Sequence, residues 1–419
     1  MNLLIKQARI IDPNSPHNGK KLDILIENGK ITSIRQSISS KAKTITDANL
    51  HISPGWFDMH VNFRDPGFEH KEDLNSGMKA ASFGGFTGVA CMPGTNPPLH
   101  TKSEIEYILH KSKGSIVDVH PVGALSHDLK GVDMTEMYDM HLSGAVAFSD
   151  EKNPVKSAGL MLRSLLYVNG FNGLIISHSE EKEITLDGMM NEGDAQSSLG
   201  LNPMPSIAEE LMVARDISLV DYAKSRIHIS SVSSAKTVEL IRAAKRKGIN
   251  ITAEVAAHYL GIDDSALEGF ESNYKVNPPF RTKKDIQALK KGLADGSIDA
   301  ICSDHSPEDN EMKNREFDHA AFGIIGLETA YATANTYSGL NKKELVEKMA
   351  IRPREILNIP VPVIDRGQTA NITLFNPTQK WTYSKSDIKS KSVNTPFVGT
   401  AFTGKALGAF NNNQYQVAS

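Results

Sequence analysis

Residues with metal-binding and acid–base side chains occur together in one short stretch near the N-terminus. The segment Pro54–Gly67 reads PGWFDMHVNFRDPG and places His60, Asn62 and Arg64 at every second position. Side chains at positions i and i+2 of a strand point to the same side, so two histidines at this spacing could bind one divalent cation. Here the side-chain amide of Asn62 stands where the second imidazole would be. The stretch therefore predicts a metal-type site with one ligand replaced.

Polar groups also follow other apolar runs along the chain. Neutral imidazoles and carboxylates from several strands must converge if they are to bind one or two divalent cations and activate water. The groups at the ends of these runs are Gly94-Thr95-Asn96-Pro97, Ser149-Asp150-Glu151, His178-Ser179-Glu180-Glu181, His228 with Ser231, and Ser303-Asp304-His305-Ser306-Pro307.

The apolar runs alternate with amphipathic helical segments between residues 54 and 365. Two clear helices, Ile207 to Ala223 and Ala235 to Arg246, have apolar residues recurring at every third or fourth position. With the strand that leads into His60, the runs number eight, which predicts an α/β fold of the (β/α)₈ TIM-barrel type with its active site at the carboxyl ends of the strands. The other seven runs lie at residues 86–92, 116–124, 144–149, 174–179, 226–231, 249–255 and 298–303.

Both ends of the chain have a different pattern of short strands and turns. The N-terminal 53 residues include the pair Asn28-Gly29, which is typical of a type I′ hairpin. Strand-like segments return near the C-terminus. We therefore expect residues 1–53 and 366–419 to form one small β-sandwich domain beside the barrel of residues 54–365.

Composition argues against several classes of protein. The chain has 419 residues, a net charge of −3 and no sustained basic block, so neither a nucleic-acid footprint nor a membrane-surface patch is expected. It has two cysteines without metal-type spacing, and the N-terminal residues read directly into a strand rather than a signal peptide. These features predict a cytoplasmic protein with a small-molecule substrate.

At these motifs the chain resembles the dihydroorotase family of cyclic amidohydrolases, of the type whose fourth barrel strand supplies a carboxylate instead of a carboxylated lysine. The resemblance covers nearly the whole chain. The motifs that carry it are Ile10-Ile11-Asp12-Pro13, the stretch around His60, Gly94-Thr95-Asn96-Pro97, Lys275 to Arg281, Asp304-His305, Ala321-Phe322-Gly323 and Asn394-Thr395-Pro396-Phe397.

The resemblance implies a role for each matching residue. Asp304 would contact the metal and act as general base and then general acid, and Arg64 would hold a substrate carboxylate as a bidentate fork. The substrate-binding set would be Arg64, Asn96, Asn277, Phe322 and Gly323, and the metal ligands would be His60, Glu151, His178 and Asp304.

The chain departs from the family pattern at four positions. Asn62 and Ser231 stand where the family has ligand histidines, Glu151 replaces an aspartate, and Glu308 replaces a histidine that contacts substrate. Amide and hydroxyl oxygens are weaker zinc ligands than imidazole nitrogen. We therefore expect one zinc ion rather than two, with a site that binds none as the alternative. His228 and His258 are interpreted as structural residues, and Glu180 and Glu181 as caps of the following helix.

Three functions fit these residues. The first is a dihydroorotase that interconverts N-carbamoyl-L-aspartate and L-dihydroorotate in pyrimidine biosynthesis. The second is a catalytically silent relative that serves as a scaffold for aspartate carbamoyltransferase. The third is another cyclic amidase, such as a hydantoinase or allantoinase, which would need a carboxylated lysine near strand 4; Lys152 lies beyond that strand, so this alternative is the weakest. In each case a homo-oligomer is expected.

Overall fold

A computed structural model describes residues 1–417 of the chain. Within these residues the strands form two large sheets and one two-stranded ladder. The strands are β1 (Asn2–Ile10), β2 (Lys21–Glu27), β3 (Lys30–Arg35), β4 (Lys43–Ile45), β5 (His51–Pro54), β6 (Trp56–Val61), β7 (Phe86–Cys91), β8 (Asp118–Gly123), β9 (Ala147–Phe148), β10 (Ile175–His178), β11 (Met190–Asn191), β12 (Pro203–Met204), β13 (Ile227–Ser230), β14 (Ile251–Ala256), β15 (Ala300–Cys302), β16 (Ile372–Thr382), β17 (Ala401–Asn411) and β18 (Gln414–Val417).

Helices fill most of the intervals between the barrel strands. Every helix in residues 1–417 is too short or too polar to span a membrane. The helices are α1 (Leu74–Phe83), α2 (Lys102–Ser112), α3 (Met137–Leu142), α4 (Ala158–Asn169), α5 (Lys182–Thr185), α6 (Asp194–Leu199), α7 (Ile207–Ala223), α8 (Ala235–Arg246), α9 (Lys283–Asp295), α10 (Asn310–Lys313), α11 (Ala330–Tyr337), α12 (Lys342–Val346) and α13 (Arg352–Ile356), with a π-helical turn at Glu347–Ile351 between the last two.

The central sheet is a parallel barrel of eight strands. Its order is β6-β7-β8-β9-β10-β13-β14-β15, and each neighbouring pair is parallel. A bridge between Val61 and His305 joins the last strand to the first, and the Asn62 N–H donates to the His305 carbonyl at 2.8 Å. The predicted (β/α)₈ barrel is confirmed. Strand β9 is much shorter than the predicted run of residues 144–149.

The second large sheet combines strands from both ends of the chain. Its order is β18-β17-β16-β5-β1-β2-β3, with β4 paired to β1. Asn28 and Gly29 both have positive φ, 51° and 78°, in the hairpin between β2 and β3, as a type I′ turn requires. The predicted small β domain from both chain ends is therefore confirmed, and its eight strands belong to one sheet. The exact domain limits stay a prediction.

Apolar packing fixes the base of the barrel and its contact with the end sheet. The Trp56 ring at the start of β6 packs against Tyr331 of α11 and Phe375 of β16, with ring centroids 4.4 and 5.5 Å apart. Inside the barrel, Phe57, Met59 and other buried apolar residues form a separate cluster. The polar strand ends therefore rest on a packed apolar base, as in other barrels of this type.

Helix α1 is held against the first barrel strand by a close contact at Gly77. Asp73 caps the helix by accepting from the Ser76 N–H at 2.9 Å. A Cβ added at Gly77 would collide with the ring of Phe63, which lies between Asn62 and Arg64 in sequence. Glycine therefore allows the close approach that positions this strand end.

We expect Gly77→Ala to destabilise the protein, although alanine is the better helix former. Moving the fully buried Phe63 ring should cost about 1–3 kcal/mol of unfolding free energy, as overpacking of a core does. Urea denaturation followed by circular dichroism would measure this loss. Gly159→Ala is the matched control, because this glycine is exposed in the first turn of α4. The nearest atom to a Cβ added there is Nη1 of the flexible Arg163 side chain, at 3.4 Å. Equal stabilities of the two variants would contradict the packing argument.

Candidate active site

A cavity of about 250 Å³ opens at the carboxyl ends of the barrel strands. Four of the five predicted substrate-binding residues, Arg64, Asn277, Phe322 and Gly323, lie in its wall together with Asp304. Asn96 is exposed and lies outside this wall, where its backbone packs against Gly67. The remaining wall residues are Glu151, Lys152, Lys182, Val276, Ser306 and Ile324.

Several strand ends around the cavity turn through an unusual backbone conformation. Arg64, Glu151, Ser231 and Asp304 have φ values of 58°, 54°, 50° and 49°. This left-handed region costs a residue with a side chain roughly 1–2 kcal/mol, and such strain persists only where the surrounding structure fixes it. The conformation turns the chain sharply after each strand, at the places where the site residues stand.

Buried ionisable groups form a continuous chain across this end of the barrel. His60 Nδ1 lies 3.0 Å from Glu254 Oε1, and His60 Nε2 lies 3.5 Å from Asp304 Oδ1. On the other side of Glu254, its Oε2 is 3.6 Å from His228 Nε2, while His228 Nδ1 contacts the Thr252 hydroxyl at 2.9 Å. Glu254 therefore orients His60 from behind, as a carboxylate partner commonly does for a ligand histidine.

These contacts shift the ionisation of the groups concerned. Burial opposes ionisation of Glu254, but the neighbouring imidazoles of His228 and His60 outweigh it and lower the pKa of Glu254 to about 2. Burial also opposes ionisation of Asp304, yet the charges of Lys152 and His60 hold its pKa below the usual value. For His60, the neighbouring carboxylates outweigh burial and raise the pKa. Both carboxylates are thus ionised at neutral pH.

Lys152 enters the site directly beside Asp304. Its Nζ donates to Asp304 Oδ2 at 3.0 Å, and 19% of its side chain remains exposed, in the cavity wall. Oε2 of the preceding residue, Glu151, lies 3.3 Å from the position that a Cβ on Gly94 would take, and Asn62 Oδ1 lies 3.5 Å from the same position. Asp150 points elsewhere and accepts from the N–H and hydroxyl of Ser126. Glu151 is therefore the carboxylate at the end of β9, the fourth barrel strand, that faces the cavity.

The guanidinium of Arg64 is already engaged by the loop after β15. Its Nη2 donates to Ser306 Oγ at 3.0 Å and to Glu308 Oε1 at 3.1 Å. Lys71 binds the other oxygen of Glu308, with Nζ to Oε2 at 2.6 Å. Glu308 thus faces the proposed carboxylate-binding arginine and balances its charge.

Glu180 links two predicted site residues beside the cavity. Its Oε2 accepts from Asn277 Nδ2 at 3.0 Å and lies 3.4 Å from His178 Nε2. Lys182 donates to the same oxygen at 2.7 Å. The expectation that Glu180 caps the next helix is wrong, because these polar partners bind its buried carboxylate. Glu181 does cap α5 by accepting from the Glu183 N–H.

The retained donors do not assemble into a metal centre. Within residues 1–417, three or more ligand atoms of His, Cys, Asp or Glu side chains come within 4.8 Å of one another only at the exposed Glu316, Asp318 and His319. The four predicted ligands form no such group, and Lys152 occupies one oxygen of Asp304. The atoms in the site that lack a hydrogen-bond partner in this part of the chain are His60 Nε2, both polar side-chain atoms of Asn62, His178 Nδ1, Ser179 Oγ, His228 Nε2, Ser231 Oγ, Glu254 Oε2, His258 Nε2 and Asp304 Oδ1.

His258 occupies an apolar setting beside this group. Its ring packs edge-on against Tyr259 and Phe280, with centroids 4.3 and 5.6 Å away. Burial lowers its pKa to about 4, so the imidazole is neutral at pH 7. This packing supports the interpretation of His258 as a structural residue. The Asp304 carboxylate is near enough to oppose part of the lowering of the His258 pKa.

Three site residues escape a reading of the sequence alone. Glu254 lies within the apolar run of β14, Lys152 lies beyond a strand end, and Lys182 is in the first turn of a helix. Glu254 is the one residue of the three that the sequence could have indicated, because a single carboxylate inside an apolar barrel strand is buried and needs a partner. For the two lysines, only the spatial arrangement reveals the contacts.

Similar sequences point to one family of proteins. A family model described as dihydro-orotase-like matches residues 50–237. The dihydroorotase of Syntrophus aciditrophicus is 42% identical over 414 residues, covering 97% of each chain. That of Acetivibrio thermocellus is 42% identical over 421 residues, covering 99% of each chain.

Solved structures show the same architecture. The L-hydantoinase (dihydropyrimidinase) from Arthrobacter aurescens superposes with a TM-score of 0.83 at 24% identity and covers 99% of this chain and 95% of its own. A D-hydantoinase gives the same TM-score and identity over 100% and 95% of the two chains. At this identity the structures establish the fold alone, whereas the full-length sequence relatives establish the family. The chain belongs to the dihydroorotase family.

Proposed function

We propose that the chain acts as a dihydroorotase-type cyclic amidohydrolase, interconverting L-dihydroorotate and N-carbamoyl-L-aspartate. The observation that carries this proposal is that Arg64, Asn277, Phe322 and Gly323 line one cavity together with Asp304. Full-length relatives named dihydroorotase support the same reaction class. No observation on the described residues favours the hydantoinase alternative.

The proposed roles follow from the chemistry of the wall. Arg64 would bind the substrate carboxylate, and the Asn277 amide would bond it and the ring amide. Asp304 would take a proton from an attacking water molecule and return it to the leaving nitrogen. Zinc, as one ion held by the retained ligands, stays a prediction from the family resemblance, since the donors as placed form no centre.

The partner and location predictions belong to this proposal as well. The homo-oligomer and the association with aspartate carbamoyltransferase can be measured by light scattering of the purified chain, alone and mixed with a carbamoyltransferase. The two cysteines, Cys91 and Cys302, are free and buried, which supports a cytoplasmic protein. The scaffold role would become the leading function if the chain bound the transferase but did not hydrolyse L-dihydroorotate.

Asp304→Asn tests the catalytic proposal. We expect steady-state hydrolysis of L-dihydroorotate by the wild type and a fall of about 10²-fold or more in kcat for the variant, because the amide cannot carry the proton. Asp128→Asn, a change at an exposed aspartate, is the matched control and should keep wild-type activity. Equal rates for the wild type and Asp304→Asn, prepared identically, would show contaminating enzyme and remove the proposed activity.

Glu308→Gln tests whether the cavity takes an anion at Arg64. Removal of the carboxylate that now pairs with Arg64 and Lys71 should tighten L-dihydroorotate binding by about tenfold, equivalent to about 1.4 kcal/mol. Isothermal titration calorimetry would measure the change in Kd. Glu311→Gln is the control, since Glu311 is exposed on the following helix. Unchanged or weaker binding in Glu308→Gln would place the substrate carboxylate elsewhere.

A further inference from the structure

The strongest unexplained feature of the site is the ion pair between Lys152 and Asp304. Asp304 has two carboxylate oxygens: Oδ1 faces His60 Nε2, and Oδ2 accepts from Lys152 Nζ at 3.0 Å. A divalent cation bound to this carboxylate would stand close to the ammonium and be repelled by it. Lys152 thus competes directly with a metal for the central acidic residue.

The backbone makes this contact a built feature of the fold. Lys152 follows Glu151, whose φ of 54° turns the chain at the end of the two-residue strand β9. Most of the Lys152 side chain is covered, and its ammonium contacts Asp304 in the wall of the cavity. The contact joins residues 152 positions apart, from two different barrel strands.

The other departures of the site favour the same exchange. Asn62 and Ser231 supply a neutral amide and a neutral hydroxyl, which hold zinc poorly compared with imidazole. Both residues are buried, at 1% exposure. Weaker metal ligands and an internal cation therefore occur together in one site.

We propose that the Lys152 ammonium is the resident cation of this site, bound to Asp304 in the place of a zinc ion. The ammonium balances the buried carboxylate and presents its remaining N–H groups to the cavity. The inference concerns the same site as the proposed function but does not require turnover, so metal binding and hydrolysis can fail or succeed separately.

The test is zinc binding to the full-length protein after treatment with a chelator. Calorimetric titration with Zn²⁺ should show weak binding by the wild type, and Lys152→Gln should bind at least about tenfold more tightly, because the competing charge is gone. Lys182→Gln is the matched control: it removes a lysine from the same wall, but one that binds Glu180 rather than Asp304. Its affinity should stay within about threefold of the wild type, as expected for a charge without direct contact.

Three results would overturn the proposal. These are tight binding of one or more zinc ions by the wild type, no gain in Lys152→Gln, and an equal gain in both lysine variants. Thermal unfolding of each variant checks that it is folded, and Lys152→Met provides a second neutral replacement of similar length. If both Lys152 variants fail to fold, the wild-type titration decides: weak binding supports the proposal, and tight binding removes it.

Discussion

The pairing of buried charges is the constraint on which the site end of this barrel depends. His228, Glu254, His60, Asp304 and Lys152 form a chain of contacts between 3.0 and 3.6 Å that crosses from β13 through β14 and β6 to the ends of β15 and β9. An isolated charge in such a setting is costly, and removing one member of a buried pair typically costs about 3–5 kcal/mol. The five groups therefore add side-chain contacts to the hydrogen bonds that already join β13, β14, β15 and β6, and they link the end of β9 to these strands.

The strained strand ends make sense in this setting. Arg64, Glu151 and Asp304 have positive φ values at the points where the chain leaves β6, β9 and β15. Each of these turns directs the side chain at that position, or the side chain next to it, towards the cavity. The strain is affordable because the apolar cluster around Phe57 and Met59 holds the strands rigidly below. Backbone geometry and charge pairing thus act together: the turn places the side chain, and the ion pair keeps it there.

The sequence was sufficient for the architecture and for part of the site. Periodic apolar runs predict the barrel because strand and helix periods differ, and the polar residues at their ends predict where the cavity opens. The short β9 could not be predicted from its residues, since Ala145 and Val146 are as apolar as Ala147 but lie outside the strand, although the Val146 N–H still donates to the Pro121 carbonyl of β8 at 3.0 Å. The partners of Glu180 and Glu254 were also out of reach, because their contacts join residues 97 and 194 positions apart.

Both groups expected to act on a substrate are already paired within the protein. Arg64 is matched by Glu308, and Asp304 by Lys152. A substrate carboxylate must therefore displace Glu308 from the arginine, or bind to the outer side of the pair, before it gains a charge-assisted hydrogen bond. The two pairs have opposite effects on an incoming anion. Glu308 reduces the positive charge that a substrate carboxylate meets at Arg64, whereas Lys152 reduces the negative charge that it meets at Asp304.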